Sequence, residues 1–311
     1  MNIKIGRTMS KKYTDDNKIY HKMFTDDEFN NIGPGHQFGM KHYETIVDTD
    51  KYVRGYYLDE SGQKQILFKL MKNEINSKLQ NIATNAFKKL SMKKNFNRGL
   101  AAGKPKGSKT ARRTVGNQSY AMQSSTSNIA GYYDKPDRRH KYAFRTDTAC
   151  RKTAFTKHNM DLWKSGLPFI EKCSSLYKKR GGNHYKRQAV EINKLRKELI
   201  IPNTVFTTVT VNYNWRTSCH KDTGDFSKGL GNLIVTGRDF TGCYLGFPQF
   251  KVCIKVEPGD FLLMDVHQWH CNTELCLTNH DGYRISYVMY IREDMAKCQK
   301  HIIVDGEEYY A

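Results

Sequence analysis

After Pro202 the chain reads as short strands separated by turn residues, and this constrains its fold more than any other feature. Thr204–Asn214 (TVFTTVTVNYN) alternates and is rich in β-branched residues, which suit a pleated, half-buried surface. Leu230–Thr236, Phe250–Val256, Phe261–Val266 and Arg284–Ile291 are further candidate strands, punctuated by Gly, Pro, Asn and Asp. Five such strands predict a β-sandwich or jelly roll.

Ahead of this region the apolar spacing predicts helices. Leu67, Met71, Ile75, Leu79, Ile82 and Ala86 recur at three- and four-residue steps, giving an amphipathic helix from Gln65 to Leu90 with room for one break. Pro168 suits a first helical position, with Phe169, Ile170, Cys173, Leu176 and Tyr177 on one face and Gly181-Gly182 as the stop. A second helix carries Tyr185, Ala189, Ile192, Leu195 and Leu199 and ends at Pro202. The expected class is α+β, in four parts. Residues 1–90 are a partly helical N-terminal region of no assignable role. Residues 91–203 are a basic, loop-rich and helical segment that supports the core. Residues 204–295 are the β core itself, and 296–311 form a tail.

Charge narrows the partners. The chain has 311 residues, with 51 Lys and Arg against 31 Asp and Glu, for a net charge of +20. Such a surface suits a partner dense in phosphates, although charge by itself shows only non-specific attraction, and nothing in the sequence calls for an obligate protein partner. The positive charge concentrates between Lys88 and Arg113, where Gly99, Gly103, Pro105 and Gly107 argue for loop. Lys93, Lys94, Arg98, Arg112 and Arg113 are the candidate phosphate contacts, against the plainer reading of a solvated loop. No apolar run approaches the roughly 18–20 residues a bilayer span needs, and the N-terminus lacks the apolar stretch of a secretory signal. The expected location is therefore intracellular, nuclear in a eukaryote, with the eight cysteines reduced. No Cys-x-x-Cys pair is present, which argues against a zinc ribbon or thioredoxin-like site.

The chemistry gathers in the β region. His220-Lys221-Asp222 follows the first strong strand, and side chains at i and i+2 of an extended segment share a face. His267 and His270 follow the Pro258-Gly259-Asp260 turn and the apolar run after it. Either can complete a two-His, one-carboxylate set, which leaves open positions for a bidentate cosubstrate and O₂ on non-haem iron. Arg284, at a strand start, can fork a carboxylate, with Ser286 adding a hydroxyl and Asn212 and Asn214 polar contacts from the first strand; for both asparagines a strand-end turn role is the plainer alternative. A catalytic zinc is the rival at the same ligands, but it leaves Arg284 and Ser286 without a purpose. Tyr213, Trp215 and Trp269 have two readings, base stacking or core packing. Cys271 and Cys276 flank the site and read either as redox-sensitive thiols or, more plainly, as buried, inert ones.

These residues carry a resemblance. VTVNYNWRTSCHKDTGDF, GCYLGFPQFKVCIKVEPGDFLLMDVHQWHCN and YRISYVMYIRED resemble the double-stranded β-helix of Fe(II)/2-oxoglutarate dioxygenases. More narrowly, they resemble the family of the ten-eleven translocation and J-binding proteins (TET/JBP), which hydroxylate the 5-methyl group of pyrimidines in nucleic acid. NRGLAAGKPKG and CRKTAF resemble that family's preceding region. The resemblance covers roughly residues 95–295, strongly after 205; the first 90 residues match nothing nameable, and no cysteine-rich domain has a counterpart. It implies a double-stranded β-helix (jelly roll) oxygenase core packed on N-terminal helices. It implies Fe(II) on His220, Asp222 and His270, with 2-oxoglutarate on Arg284 and O₂ as the co-reactant. It also selects His270 over His267, because the family's distal ligand precedes a small residue and Asn, here Cys271-Asn272. The implied reaction is hydroxylation of thymine or 5-methylcytosine in DNA. A protein side-chain hydroxylase on the same fold and an inactive nucleic-acid-binding module are the alternatives.

Overall fold

The computed structural model describes residues 11–13, 16–96, 98–103, 112–115, 118–121, 124–137, 139–144 and 148–311. The alternation in Tyr283–Tyr290 sorts its side chains: Ile285, Tyr287 and Met289 take one face, Arg284, Ser286 and Val288 the other. This strand is central to a nine-stranded sheet. Its order is Lys18–Ile19, Val53–Leu58, Lys64–Met71, Phe261–Met264, Gly231–Arg238, Tyr283–Tyr290, Thr208–Tyr213, Ser127–Tyr133 and Arg151–Lys152. All neighbours are antiparallel except the first pair.

One face of the sheet packs on helices Ser77–Ser91 and Met160–Arg180. Tyr287 meets Phe169 edge-on at 5.0 Å and Phe87 at 6.0 Å. The two helices approach closely because Gly166 faces Phe87; a Cβ there would lie 2.5 Å from the ring. The other face looks onto a five-stranded sheet ordered Lys11–Tyr13, Thr45–Val47, Val252–Ile254, Leu245–Phe247 and Cys271–Asn272. Leu67, Leu70, Leu233, Val235, Leu245, Phe247 and Leu262 belong to a second apolar core on this side. The cavity described below opens beside it.

The structure departs from several expectations. The helix expected from Gln65 to Leu90 is a strand, Lys64–Met71, followed by the helix Ser77–Ser91. Asn73, at φ 54°, turns the chain between them, and the Asn76 side chain caps the helix by accepting from the Leu79 amide. The misleading signal is a run apolar on both faces, as expected of a strand flanked on both sides. Pro168 lies inside Met160–Arg180, where it lacks the N–H for an intrahelical bond, instead of opening the helix. The divisions at 90 and 203 do not separate the sheets, which draw strands from both sides of them. Lys64–Met71 pairs with Phe261–Met264, and Thr45–Val47 with Val252–Ile254, so the strands around the core are not confined to 204–295.

The tail forms a hairpin, His301–Val304 with Glu307–Tyr310, docked by two backbone bonds between Tyr310 and Cys150. Contrary to the expectation of reduced thiols, Cys150 and Cys298 form a disulfide, while Cys173, Cys219, Cys243, Cys253, Cys271 and Cys276 are free. The paired residues are 148 apart in sequence, so no local spacing announces them. No helix among the described residues is long and apolar enough to cross a membrane.

Candidate active site

Strand Thr208–Tyr213 ends at Asn214, whose φ of 44° turns the chain. The chain then runs to a two-way backbone bridge, in which the amides of His220 and His270 each donate to the other's carbonyl at 3.0 Å. The Asp222 amide donates to the Val266 carbonyl at 3.0 Å. These main-chain bonds bring one side chain of each residue together, and their ligand atoms all lie within 4.8 Å of one another.

The imidazoles are already oriented. His220 Nδ1 donates to the Ser218 carbonyl at 2.7 Å, and His270 Nδ1 to the Gln268 carbonyl at 2.9 Å. That assignment leaves both Nε2 lone pairs facing Asp222, each 3.6 Å from one carboxylate oxygen. Burial pushes His220 down to about 4, helped by the neighbouring His270, so it is neutral at physiological pH. Burial works the same way on His270, but the hydrogen bond and charge of Asp222 outweigh it and raise its pKa. Burial opposes the Asp222 carboxylate, and the two imidazoles nevertheless hold its pKa below the usual range. A carboxylate and two imidazoles converging without further protein donors can hold a divalent metal on one side only.

A cavity of about 110 Å³ opens on this cluster. Arg284 lines it, 2% exposed, and its Nε has no hydrogen-bond partner. Among the described residues no carboxylate pairs with this guanidinium. Ser286 and Asn212 line the same wall, with Asn212 Nδ2 donating to Ser286 Oγ at 3.0 Å. Asn214, expected at the cosubstrate, is instead a positioning residue at the strand end. Its Oδ1 accepts from the Arg284 amide at 2.7 Å and its amide donates to the Arg284 carbonyl at 2.8 Å. Asn212 lines the cavity, whereas Asn214, two residues on, is turned away from the regular strand by its positive φ.

The geometry groups His270, and not His267, with His220 and Asp222. His267 lies outside the cluster, in a turn after the Phe261–Met264 strand and not on an extended strand opposite His270. Its amide donates to Asp265 Oδ1 at 3.0 Å and its ring faces the Phe226 carbonyl.

The cavity also holds residues that sequence reasoning missed. Tyr290 shares the face of Arg284 and Ser286 by simple alternation. Asp225 follows Asp222 by three residues; burial, and then the charge of Asp222, raise its pKa well above the usual range. Arg292 Nη2 donates to Asp134 at 3.0 Å, and Nη1 is 3.7 Å from Asp225, so this arginine is already engaged. Arg98, expected on nucleic acid, lines this cavity. Lys93 and Lys94 are exposed just past the helix Ser77–Ser91. Arg112 and Arg113 lie in the strand Arg112–Val115, and their side chains lie outside the described residues, as do residues 104–111. Trp269 is mostly core, its ring 6.0 Å from Phe29. Cys271 is buried beside the Tyr43 hydroxyl, whereas Cys276 is exposed, contrary to expectation.

Two facing sheets flanked by helices, with a His-Asp-His cluster and a buried arginine at their cavity, define a protein of the 2-oxoglutarate/iron oxygenase superfamily. Residues 128–293, just over half of the chain, match the oxygenase domain of that superfamily typified by TET and JBP, and the chain belongs to this TET/JBP family. It is 34% identical over 184 residues to thymine dioxygenase JBP1 of Trypanosoma brucei brucei, covering 58% of this chain and 21% of that protein. It is 36% identical over 166 residues to the bifunctional helicase and thymine dioxygenase JBP2 of Leishmania tarentolae, covering 53% of this chain and 14% of that protein. The chain thus spans about a fifth or less of the length of these relatives. Among solved structures, NgTET1 in complex with 5mC DNA shares the fold, with a TM-score of 0.53 at 15% identity over 90% of this chain and 84% of that one.

Proposed function

We propose that this chain is an Fe(II)- and 2-oxoglutarate-dependent dioxygenase that hydroxylates the 5-methyl group of thymine or 5-methylcytosine in DNA. One observation carries the reading: a buried arginine without a carboxylate partner shares a cavity with a two-His, one-carboxylate cluster. A buried guanidinium is costly unless an anion meets it, and 2-oxoglutarate brings a carboxylate to spare. A zinc hydrolase has no use for it. In this reading the two facing sheets form a double-stranded β-helix.

Iron with 2-oxoglutarate and O₂ supplies the oxidising power, releasing succinate and CO₂ as a C–H bond becomes C–OH. The protein's part is placement. His220, Asp222 and His270 hold the metal, and the Nδ1 bonds to Ser218 and Gln268 fix both rings. Arg284 receives the distal carboxylate of 2-oxoglutarate in a fork, and Ser286, steadied by Asn212, adds a hydrogen bond. A base stacked in a duplex cannot reach this cavity, so the target nucleotide turns out of the helix to enter it. Lys93 and Lys94 hold the phosphate backbone meanwhile. The names of the JBP relatives and the net charge of +20 support DNA as substrate.

The test is incubation with Fe(II), 2-oxoglutarate and DNA or RNA carrying thymine, uracil or 5-methylcytosine, followed by digestion to nucleosides and mass spectrometry. A hydroxymethyl pyrimidine with matching succinate is expected. Succinate that depends on an added peptide substrate but not on nucleic acid would transfer the reading to a protein hydroxylase. Absence of both products would leave a binding module.

A further inference from the structure

The segment after the helix Ser77–Ser91 presents two apolar side chains to solvent. Met92 is 52% and Phe96 50% exposed. Such exposure usually accompanies a loose loop, but here the backbone is tied down. Asn128 Nδ2 donates to the carbonyls of Leu90 at 3.0 Å and Lys93 at 2.7 Å. Asn95 and Ser125 exchange both backbone bonds, at 2.7 and 2.8 Å. Further along, the Ala101 carbonyl accepts from the Ser218 amide at 3.0 Å, two residues before His220. Between these anchors Arg98 reaches into the cavity.

Phe96 is therefore an aromatic ring held out to water by a fixed backbone, two residues from a side chain that lines the site. Lys94 and Lys93, two and three residues before it, and Lys89 near the helix end are exposed, and none makes an ion pair with a described carboxylate. An apolar ring framed by unpaired cations beside a cavity complements a nucleic-acid duplex, whose outside is anionic and whose interior is a stack of flat apolar faces.

We infer that Phe96 is a positioning residue that enters the base stack when the target nucleotide leaves it. It fills the gap and stops the base returning, while the lysines grip the flanking phosphates. The inference rests on the reading of a nucleic-acid substrate and deepens it by assigning the opening step. Arg98, two residues on, lines the cavity that the extruded nucleotide enters.

The experiment uses a duplex carrying 2-aminopurine beside the methylated base, with 2-oxoglutarate and Mn(II), which holds the site without turnover. Wild type is expected to raise the 2-aminopurine fluorescence on binding. Phe96→Ala is expected to bind with the same salt dependence but not to raise it, and Phe96→Trp to restore the signal. With Fe(II), Phe96→Ala should lower duplex turnover on the order of 10- to 100-fold relative to single-stranded turnover, the scale of one lost base–aromatic stack. A wild type that leaves the fluorescence unchanged overturns the inference, as does a Phe96→Ala protein indistinguishable from wild type. Wild-type failure to oxidise even the single strand would instead overturn the proposed function, and the fluorescence comparison would still decide the wedge.

Discussion

Replacing Arg284 by Met should separate folding from cosubstrate binding. Arg284 is among the largest fully buried side chains of the protein, and its Nε lacks a partner. In the apoprotein that charge is uncompensated, so an apolar side chain of similar length should leave the melting temperature unchanged or raise it. Binding should respond in the opposite sense. Removing one member of a buried charge pair costs about 3–5 kcal/mol, which weakens 2-oxoglutarate roughly 100- to 4,000-fold. The assay is a thermal melt with Mn(II) across a 2-oxoglutarate titration. At a hundred times its Kd the ligand stabilises wild type by about 2.7 kcal/mol, or roughly 4 °C for a chain of this size. Arg284→Met should show no shift at that concentration, with metal content intact. Arg284→Lys keeps charge without the fork and should fall between the two. A wild-type shift in Arg284→Met would refute the assignment. Arg292 is a poor substitute, since Asp134 and Asp225 already hold it.

Other expectations follow from the same geometry. His220→Ala, Asp222→Ala and His270→Ala should each weaken metal binding at least about 100-fold while His267→Ala keeps it, read as metal content after dialysis; the reverse pattern for the two distal histidines would overturn the ligand set. Metal affinity should rise with pH. Both imidazoles must be neutral to ligate, and His220 is neutral above about 4, but His270 holds its proton above the ordinary histidine range. Below the His270 pKa the affinity should therefore fall about tenfold per pH unit, measured by competition with a chelator of known pH dependence. Replacing Lys93, Lys94, Arg112 and Arg113 by Ser should reduce the salt slope of duplex binding by as much as about 3–4, and an unchanged slope would make these residues bystanders.

The site was largely legible because its parts are local. His220 and Asp222 are two residues apart, and Arg284 and Ser286 share a strand face, so alternation alone places them. The same rule adds Tyr290, but it cannot separate Asn212 from Asn214, which lie two residues apart; the positive φ at Asn214 does that. What stayed hidden depends on long-range pairing. Lys64–Met71 reads as helix until Phe261–Met264 lies beside it, because burial on both faces erases the alternation. Arg98 joins a cavity whose other residues are far along the chain, and only the bond between Ser218 and Ala101 shows how it gets there. The Asp134–Arg292 pair and the Cys150–Cys298 bridge join residues well over a hundred positions apart, beyond any motif.

The strand order also has a history written into it. On a ribosome the chain emerges from its N-terminus, yet Tyr283–Tyr290 stands in the middle of the large sheet, between partners made much earlier. Lys64–Met71 has Val53–Leu58 on one side from the start, but its other edge waits for Phe261–Met264, some 190 residues later. At roughly 5–20 residues per second that wait lasts about 10–40 s. The early hairpin must spend it as an open β-edge, with apolar Leu67, Phe68 and Leu70 uncovered. Newborn chains are thus most vulnerable to sticking together before the C-terminal strands exist. Slower translation of the middle third should lower the soluble yield without altering the finished protein.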